Sequence, residues 1–191
     1  PRRDSKKGPG HRGIDAVADP FMTIEEAARR RDFTINAMMF DLGTGIIEDP
    51  FGGASDLAGR VLRVVDETTF GDDPLRALRA AQFAARFELT VEERTARLCS
   101  SMPLGELPAE RIFGEIEKAL LQARHPSIAF TLLAEWDQLK AIGPELVPLA
   151  VTPQDPVWHP EGDVWTHTLL SLDVARGFID ALYPPPDPLP D

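Results

Sequence analysis

Two stretches hold the residues that could do chemistry. In EEAARRRDFTINAMMFD, residues 25–41, Arg29, Arg30 and Arg31 run straight into Asp32, and Asn36 follows inside an apolar run. Adjacent arginines point in different directions on a helix, so at least one is expected to face the interior or a cleft. A guanidinium held there needs a phosphate or carboxylate partner. Asp32 could be that partner, which makes the group an ordinary ion pair. Alternatively, Asp32 accepts a hydrogen bond from a ribose hydroxyl while Arg31 holds phosphate.

The second stretch is FGDDPLRALRAAQFAARF, residues 70–87. A helix beginning at Asp72 or Asp73 places Asp73, Arg76 and Arg79 three residues apart on one face. A carboxylate accepts where a guanidinium donates two parallel bonds, so such a set can match the Watson–Crick edge of a base. The plainer alternative is an i, i+3 salt bridge, with Asp72 and Asp73 favoured by the positive end of the helix dipole.

The elements that must position these groups are legible from pattern. Residues 1–20 mix Gly and Pro with basic residues and read as a mobile loop. Thr23 and Glu26 form a Thr-x-x-Glu capping box that starts a helix near Ile24. NAMMFD and GIIED flank LGT as a hairpin, DPFGG breaks the chain, and VLRVV at 61–65 is a strand candidate. From Asp73 onward Leu75, Leu78, Ala81, Phe83 and Phe87 recur at near-helical spacing. VEERTARLCSSM, PAERIFGEIEKALL and HPSIAFTLLAEWDQL continue as amphipathic helices. VTPQDPVWHP reads as a boundary, and YPPPDPLPD as a tail that closes no structure. The expected fold is α+β: a piece with short strands (1–65), a helical piece (66–150), and the start of a third unit (151–191).

Composition bounds the function. With 191 residues, 43% of them hydrophobic, the chain can bury a core. Its single cysteine, Cys99, excludes an intrachain disulfide and fits a reducing cytoplasm. No apolar run reaches the roughly 18 to 20 residues that span a bilayer, and no signal peptide is visible. The opening on Pro1, without methionine, suggests a piece of something longer. Net charge is −11, unevenly spread. Residues 1–13 hold five Lys or Arg against one Asp, and residues 98–191 hold five against fourteen Asp or Glu. Nucleic-acid contact is therefore expected in the N-terminal half, since phosphates are held chiefly by Lys and Arg.

RRDFTINAMMFD, DPFGGASDL and DDPLRALRAAQFAARF, in this order and spacing, resemble the bacterial-type (class II) tRNA nucleotidyltransferases: the CCA-adding enzymes and their sister poly(A) polymerases. PRRDSKKGPGHRG is similar to the flexible loop of that family, LPAERIFGEIEKALL to its neck helix, and WHPEGDVWTHTLL to the start of an HD domain. The resemblance covers nearly the whole chain. It implies a nucleotidyltransferase head over 1–65, a helical neck over 66–150 and a truncated HD domain over 151–191. The implied activity is addition of CCA to tRNA 3′ ends from CTP and ATP with Mg²⁺, in the cytoplasm and away from membranes.

The resemblance also implies roles for residues. Arg31 is expected at the nucleotide phosphates and Asp32 at the ribose, where it reads the 2′-hydroxyl, with Asn36 fixing that geometry. Asp72, Asp73 and Arg76 fall on the family's Glu-Asp-x-x-Arg template, with Arg79 at the phosphates one turn on. Asp49 and Asp56 fall on the hinge between head and neck. The chain departs from the pattern at Asp72, where the family has Glu, and at Gln82, where some members have Arg. It lacks the Gly-Gly segment and Asp-x-Asp strand that supply the family's metal-bound carboxylates, so the chain alone is expected to be inactive. His167 is a possible HD-domain metal ligand whose downstream His-Asp partners are missing, and His159 and His125 read as ordinary histidines. A poly(A) polymerase, a non-catalytic RNA- or nucleotide-binding module and an HD phosphohydrolase remain as other readings.

Overall fold

The computed structural model describes residues 2–6, 14–18 and 21–182. The first two segments are strands β1 (Arg2–Lys6) and β2 (Ile14–Ala18), paired antiparallel from Arg2↔Ala18 to Lys6↔Ile14. This corrects the loop expected over residues 1–20. The glycines and prolines that suggested a loop all fall outside the two strands, which contain none. The YPPPDPLPD tail lies outside the described residues.

The capping box forms as expected. Thr23 Oγ1 accepts from Glu26 N and the Glu26 carboxylate accepts from Thr23 N, opening α1 (Ile24–Arg29). A 3-10 turn over Thr34–Asn36 follows, then the predicted hairpin of β3 (Met39–Phe40) and β4 (Ile47–Glu48). Helix α2 (Gly53–Ala58) is capped by Asp49, whose two oxygens accept from Gly53 N at 2.7 Å and Ala54 N at 2.9 Å. Gly53 has a steric reason: a Cβ there would run into the Thr34 carbonyl. The glycine lets α2 lie directly against the 3-10 turn that follows Asp32.

Strand β5 (Val61–Leu62) pairs parallel with β6 (Thr90–Val91), a two-residue partner too short for sequence pattern to reveal. Beyond β5 the chain is stitched to the Asp32 segment. Thr34 N donates to Arg63 O, Val65 N donates to Asp32 O, and Phe33 bridges Val64. After α3 (Glu67–Phe70) comes α4 (Leu75–Phe87), which starts two or three residues later than expected. Pro74 supplies no N–H and suits the opening of a helix. The Asp73 carboxylate accepts from Leu75 N at 3.2 Å instead of joining the helix.

Helices α5 (Glu93–Ser100), α6 (Ala109–Gln122) and α7 (Ser127–Glu135) lie at the predicted places. The last is shorter than its pattern because Asp137 takes a left-handed backbone (φ 58°) and breaks it before α8 (Leu139–Ile142). The break turns Gln138 inward, where its Nε2 donates to the carbonyls of Cys99, Ser100 and Met102 and satisfies the end of α5. One core joins these elements, with Phe33, Leu62 and Phe70 from the strand-bearing part and Leu78, Ala81, Leu133 and Trp136 from the helical part. Burial pushes the Cys99 thiol up to about 12, so it packs as a small apolar group.

A 3-10 segment over Pro144–Val151 leads to α9 (Val164–Leu182), which docks by Trp165, Leu169 and Leu172. Asp173 accepts from Ser127 N and Oγ, and Arg176 Nε donates to Ala123 O. The architecture is α+β, mostly helical with short strands, and no described helix is long and apolar enough to cross a membrane.

Candidate functional site

Asp32 lies at the centre of the polar groups that the fold brings together. It is 7% exposed, between the end of α1 and the 3-10 turn. Its Oδ1 accepts from Phe33 N at 2.9 Å and from Asn36 Nδ2 at 3.1 Å. Oδ2 accepts from Arg79 Nε at 2.6 Å, across 47 residues of chain. Of the two readings left open for Asp32, the ion pair with a neighbouring arginine does not form; its partner is Arg79. The backbone stitching to residues 63–65 aims the carboxylate at α4.

None of the three consecutive arginines is buried. Arg29 bonds Glu25 at 2.7 Å and Asp66 at 3.4 Å, with its guanidinium over the Phe51 ring. The Arg31 side chain is exposed, with no bonded partner among the described residues. A positive group left in solvent beside a buried carboxylate is compatible with a phosphate contact.

Helix α4 supplies the next layer. Arg79 packs over Phe83 with 5.2 Å to the ring centroid, and its Nη1 lies 4.0 Å from Glu115 Oε1 on α6. Arg76 does not pair with Asp73. Its Nη1 donates to Thr69 O at 2.8 Å and its Nη2 to Arg30 O at 3.0 Å, tying α4 to the end of α1. Asp73 accepts instead from Arg111 Nη2 of α6 at 2.8 Å. The Asp73–Arg76 salt bridge that the sequence offered as the plainer alternative does not form. Because α4 starts late, Asp73 sits before the helix, not on its face. Asp72 is exposed, and Gln82 is buried, with its amide oxygen, once oriented toward α4's next turn, accepting from Arg86 at 2.9 Å.

Asp49 and Asp56 are both engaged. Asp49 caps α2 as described, and Asp56 accepts from Thr34 Oγ1 at 2.7 Å and Arg63 Nε at 3.2 Å. They fasten α2 to the turn after Asp32 and to the strand region.

Sequence reasoning passed over Arg111, Glu115 and Glu161. The first two lie one turn apart on α6 in a predicted helix. Only the folded packing of α4 on α6 shows that they meet Asp73 and Arg79. A second polar group lies 159–167. Glu161 Oε1 is 3.2 Å from His159 Nδ1 and 2.5 Å from His167 Nδ1, and the two rings meet edge-on. The hydrogen bond from His167, then that from its own backbone N–H, and last the contact with His159 hold the Glu161 carboxyl down at about 2. These three are the one described set of His, Cys, Asp or Glu residues whose donor atoms could share a metal ion. His159, read as ordinary, thus joins His167, while His125 lies apart, 3.4 Å from Asp173.

Residues 3–63 match the family model of the poly A polymerase head domain. A multifunctional CCA protein of Haemophilus ducreyi is 41% identical over 96% of this chain and 46% of its own length. One of Stenotrophomonas maltophilia is 44% identical over 91% of this chain and 44% of its own. The chain thus spans somewhat under half the length of these relatives. Among solved structures, an apo CCA-adding enzyme superposes with TM-score 0.67 at 29% identity, covering 97% of this chain and 41% of that one. A tRNA nucleotidyltransferase complexed with a primer tRNA and an incoming ATP analogue superposes with TM-score 0.60 at 28% identity, covering 83% of this chain and 51% of that one.

Proposed function

We infer that this chain is a segment of the CCA-adding tRNA nucleotidyltransferase and poly(A) polymerase family, and that it carries the part that selects the incoming nucleotide. The proposed division is nucleotidyltransferase head over 1–65, neck over 66–150 and the start of an HD domain over 151–191. The parent reaction is addition of C, C and A to a tRNA 3′ end from CTP and ATP. The observation that carries this reading is the buried Asp32, held by Arg79 and Asn36 at the seam between strands and helices.

An ionised carboxylate has about four lone-pair sites. Asp32 spends three, on Phe33 N, Asn36 and Arg79. One remains for a ribose 2′-hydroxyl. Exposed Arg31 lies one residue away for the phosphates. Asp73 can accept from a base amino group while its bond from Arg111 holds it in place. Arg76, tied to Thr69 O and Arg30 O, has its Nε left over for a base, and couples any such contact to the position of α1.

The metal-bound carboxylates of such chemistry neutralise the triphosphate and activate the attacking oxygen. Here Asp32 and Asp73 are committed to protein donors, so they do not fit an Mg²⁺ pair, and this segment's contribution is binding and selection. Mg²⁺ belongs to the reading as the family's implied cofactor, and the cytoplasm as its implied location. Asp49, Asp56, Asp72, Arg79 and Gln82 keep their proposed places as hinge and nucleotide-side residues.

The test replaces the matching segment of a full-length multifunctional CCA protein with residues 1–191 and extends a tRNA lacking its 3′ CCA. Addition of C, C and A followed by a stop supports the reading. A ladder of A residues identifies a poly(A) polymerase, and no extension leaves a binding module. In the same chimera, Asp32→Asn keeps the side chain's shape and is expected to admit dATP more readily. Unchanged rejection of dATP would leave Asp32 as a partner of Arg79 alone. The His159–Glu161–His167 group favours a second reading for residues 151–191, a metal-dependent HD phosphohydrolase unit, which requires ligands beyond those described.

A further inference from the structure

The backbone around His159, Glu161 and His167 is pinned by its own hydrogen bonds. His159 N donates to Asp155 O at 2.8 Å, and Gly162 N donates to His159 O at 3.3 Å. Gly162 holds φ at 125°, which residues with a side chain rarely adopt. Asp163 Oδ1 accepts from Thr166 N at 2.7 Å as α9 opens, and His167 follows in the first turn. Both imidazoles then use Nδ1 to meet the same oxygen, Glu161 Oε1, at 2.5 Å from His167 and 3.2 Å from His159. The shorter distance decides the role of Glu161. Two ligand atoms on one tetrahedral cation, each roughly 2.0 to 2.2 Å from it, lie about 3.3 Å apart. At 2.5 Å the His167 contact is a hydrogen bond, with no room for a cation between its atoms. With Nδ1 donating to the carboxylate, the lone pair left on a neutral ring is at Nε2. A cavity of about 390 Å³ opens beside Glu161 and His167, walled by Leu170, Val174 and Phe178 of α9.

We propose that Glu161 is a positioning residue for a divalent transition-metal cation: its carboxylate holds His167 and His159 in the Nδ1–H form, so that each ring offers Nε2 to the metal, and Glu161 itself does not bind it. A carboxylate placed behind an imidazole in this way fixes the ring's tautomer and orientation and raises the basicity of the nitrogen that ligates. Imidazole nitrogens suit zinc or nickel, whereas Mg²⁺ takes oxygen ligands. The cation is thus of a different class from the Mg²⁺ implied for nucleotide addition. The inference rests on the reading of residues 151–191 as a metal-dependent unit. It deepens that reading by giving work to Glu161, which the sequence motifs passed over, and to His159, which read as an ordinary histidine.

The experiment has two readouts on the 191-residue chain and its Glu161→Ala, Glu161→Gln, His159→Ala and His167→Ala variants. The first is imidazole ¹⁵N NMR without metal, at about pH 8, above the ordinary histidine value. The second is a Co²⁺ titration followed by the visible absorption of the bound ion. In the unsubstituted chain both rings are expected to carry the proton on Nδ1, and Co²⁺ to bind. Glu161→Ala is expected to abolish that tautomer preference and to weaken Co²⁺ about 10- to 100-fold. Glu161→Gln keeps a carbonyl acceptor for Nδ1–H, so it is expected to retain the tautomer and most of the affinity. Each histidine variant is expected to weaken Co²⁺ at least tenfold. A proton on Nε2 of His167 in the unsubstituted chain overturns the inference. So does a Glu161→Ala chain with unchanged tautomer or affinity, or a Glu161→Gln chain as weak as Glu161→Ala with its tautomer intact, which is the behaviour of a direct ligand. Co²⁺ affinity unchanged in either histidine variant overturns it as well. An unsubstituted chain with both protons on Nδ1 that binds no Co²⁺ overturns the metal-dependent reading of residues 151–191 itself, a result distinct from the others.

Discussion

The two polar groups of this chain are built in opposite ways. At the seam, Asp32 comes from the end of α1, Asn36 from the next turn, Arg79 and Asp73 from the α4 region, and Arg111 and Glu115 from α6. Several segments far apart in sequence meet around Phe33, whose ring lies 5.9 Å from that of Phe70 and 5.8 Å from that of Phe83. At the other end, His159, Glu161 and His167 come from nine residues of one loop and the first turn of α9, all partly in solvent. The first group exists only when the whole chain is folded. The second needs little more than its own loop. The seam is therefore expected to stand or fall with global stability, and the histidine group to come and go locally.

Arg79→Ala should break this comparison open most widely. It leaves the Asp32 carboxylate buried without its counter-charge, and breaking a buried pair costs about 3 to 5 kcal/mol. With Arg79 partly exposed, a loss of about 2 to 3 kcal/mol in urea unfolding is expected. A change under about 0.5 kcal/mol would show that solvent, not Arg79, supports Asp32. The same measurement on His167→Ala should give a change within about 0.5 kcal/mol, as for surface positions.

Gly53→Ala probes the same region through packing alone. The added methyl meets the Thr34 carbonyl, so α2 or the turn after Asp32 must shift, at about 1 to 3 kcal/mol. A neutral result would mean that α2 does not brace the Asp32 turn. The smallest effect belongs to the histidine group and is one of pH. Glu161 is held well below the ordinary carboxylate value of 4.5, at about 2. A depressed carboxylate lends stability above its unfolded value and loses it as pH falls toward its folded one. The stability that ionised Glu161 lends should thus be complete above pH 4.5 and fade from there toward pH 2. Carboxyl NMR should show Glu161 titrating near the lower value, with Cys99 and the seam undisturbed until global acid unfolding. Titration near 4.5 would dissolve the group.

What could be read from the sequence follows the same division between local and distant. The capping box at Thr23 and Glu26, the hairpin around LGT and helices α5 to α7 depend on neighbours within a few residues, and all are present. β1 and β2 were missed because the Gly and Pro beside them dominate the composition of residues 1–20. β6 was missed because two residues carry no period. At the site, the motifs identified Asp32, Asn36, Asp73, Arg76 and Arg79 as the groups to watch. The partnerships were another matter. Nothing in RRRDF says that Asp32 turns away from its neighbours to an arginine 47 residues on. Nothing in DDPLR says that Pro74 delays the helix and hands Asp73 to Arg111. Those choices are made by packing α4 between the strand-bearing part and α6.

The measurement that tests the central claim most directly is a titration of the ¹⁵N-labelled chain with CTP and with ATP, followed by amide and side-chain NMR. The account predicts that shifts concentrate on Arg31, Asp32, Asn36, Asp73 and the Arg79 Nε–H, while the 159–167 loop stays still. Shifts confined to the His159–Glu161–His167 loop, or none at the Asp32–Arg79 seam, would contradict it.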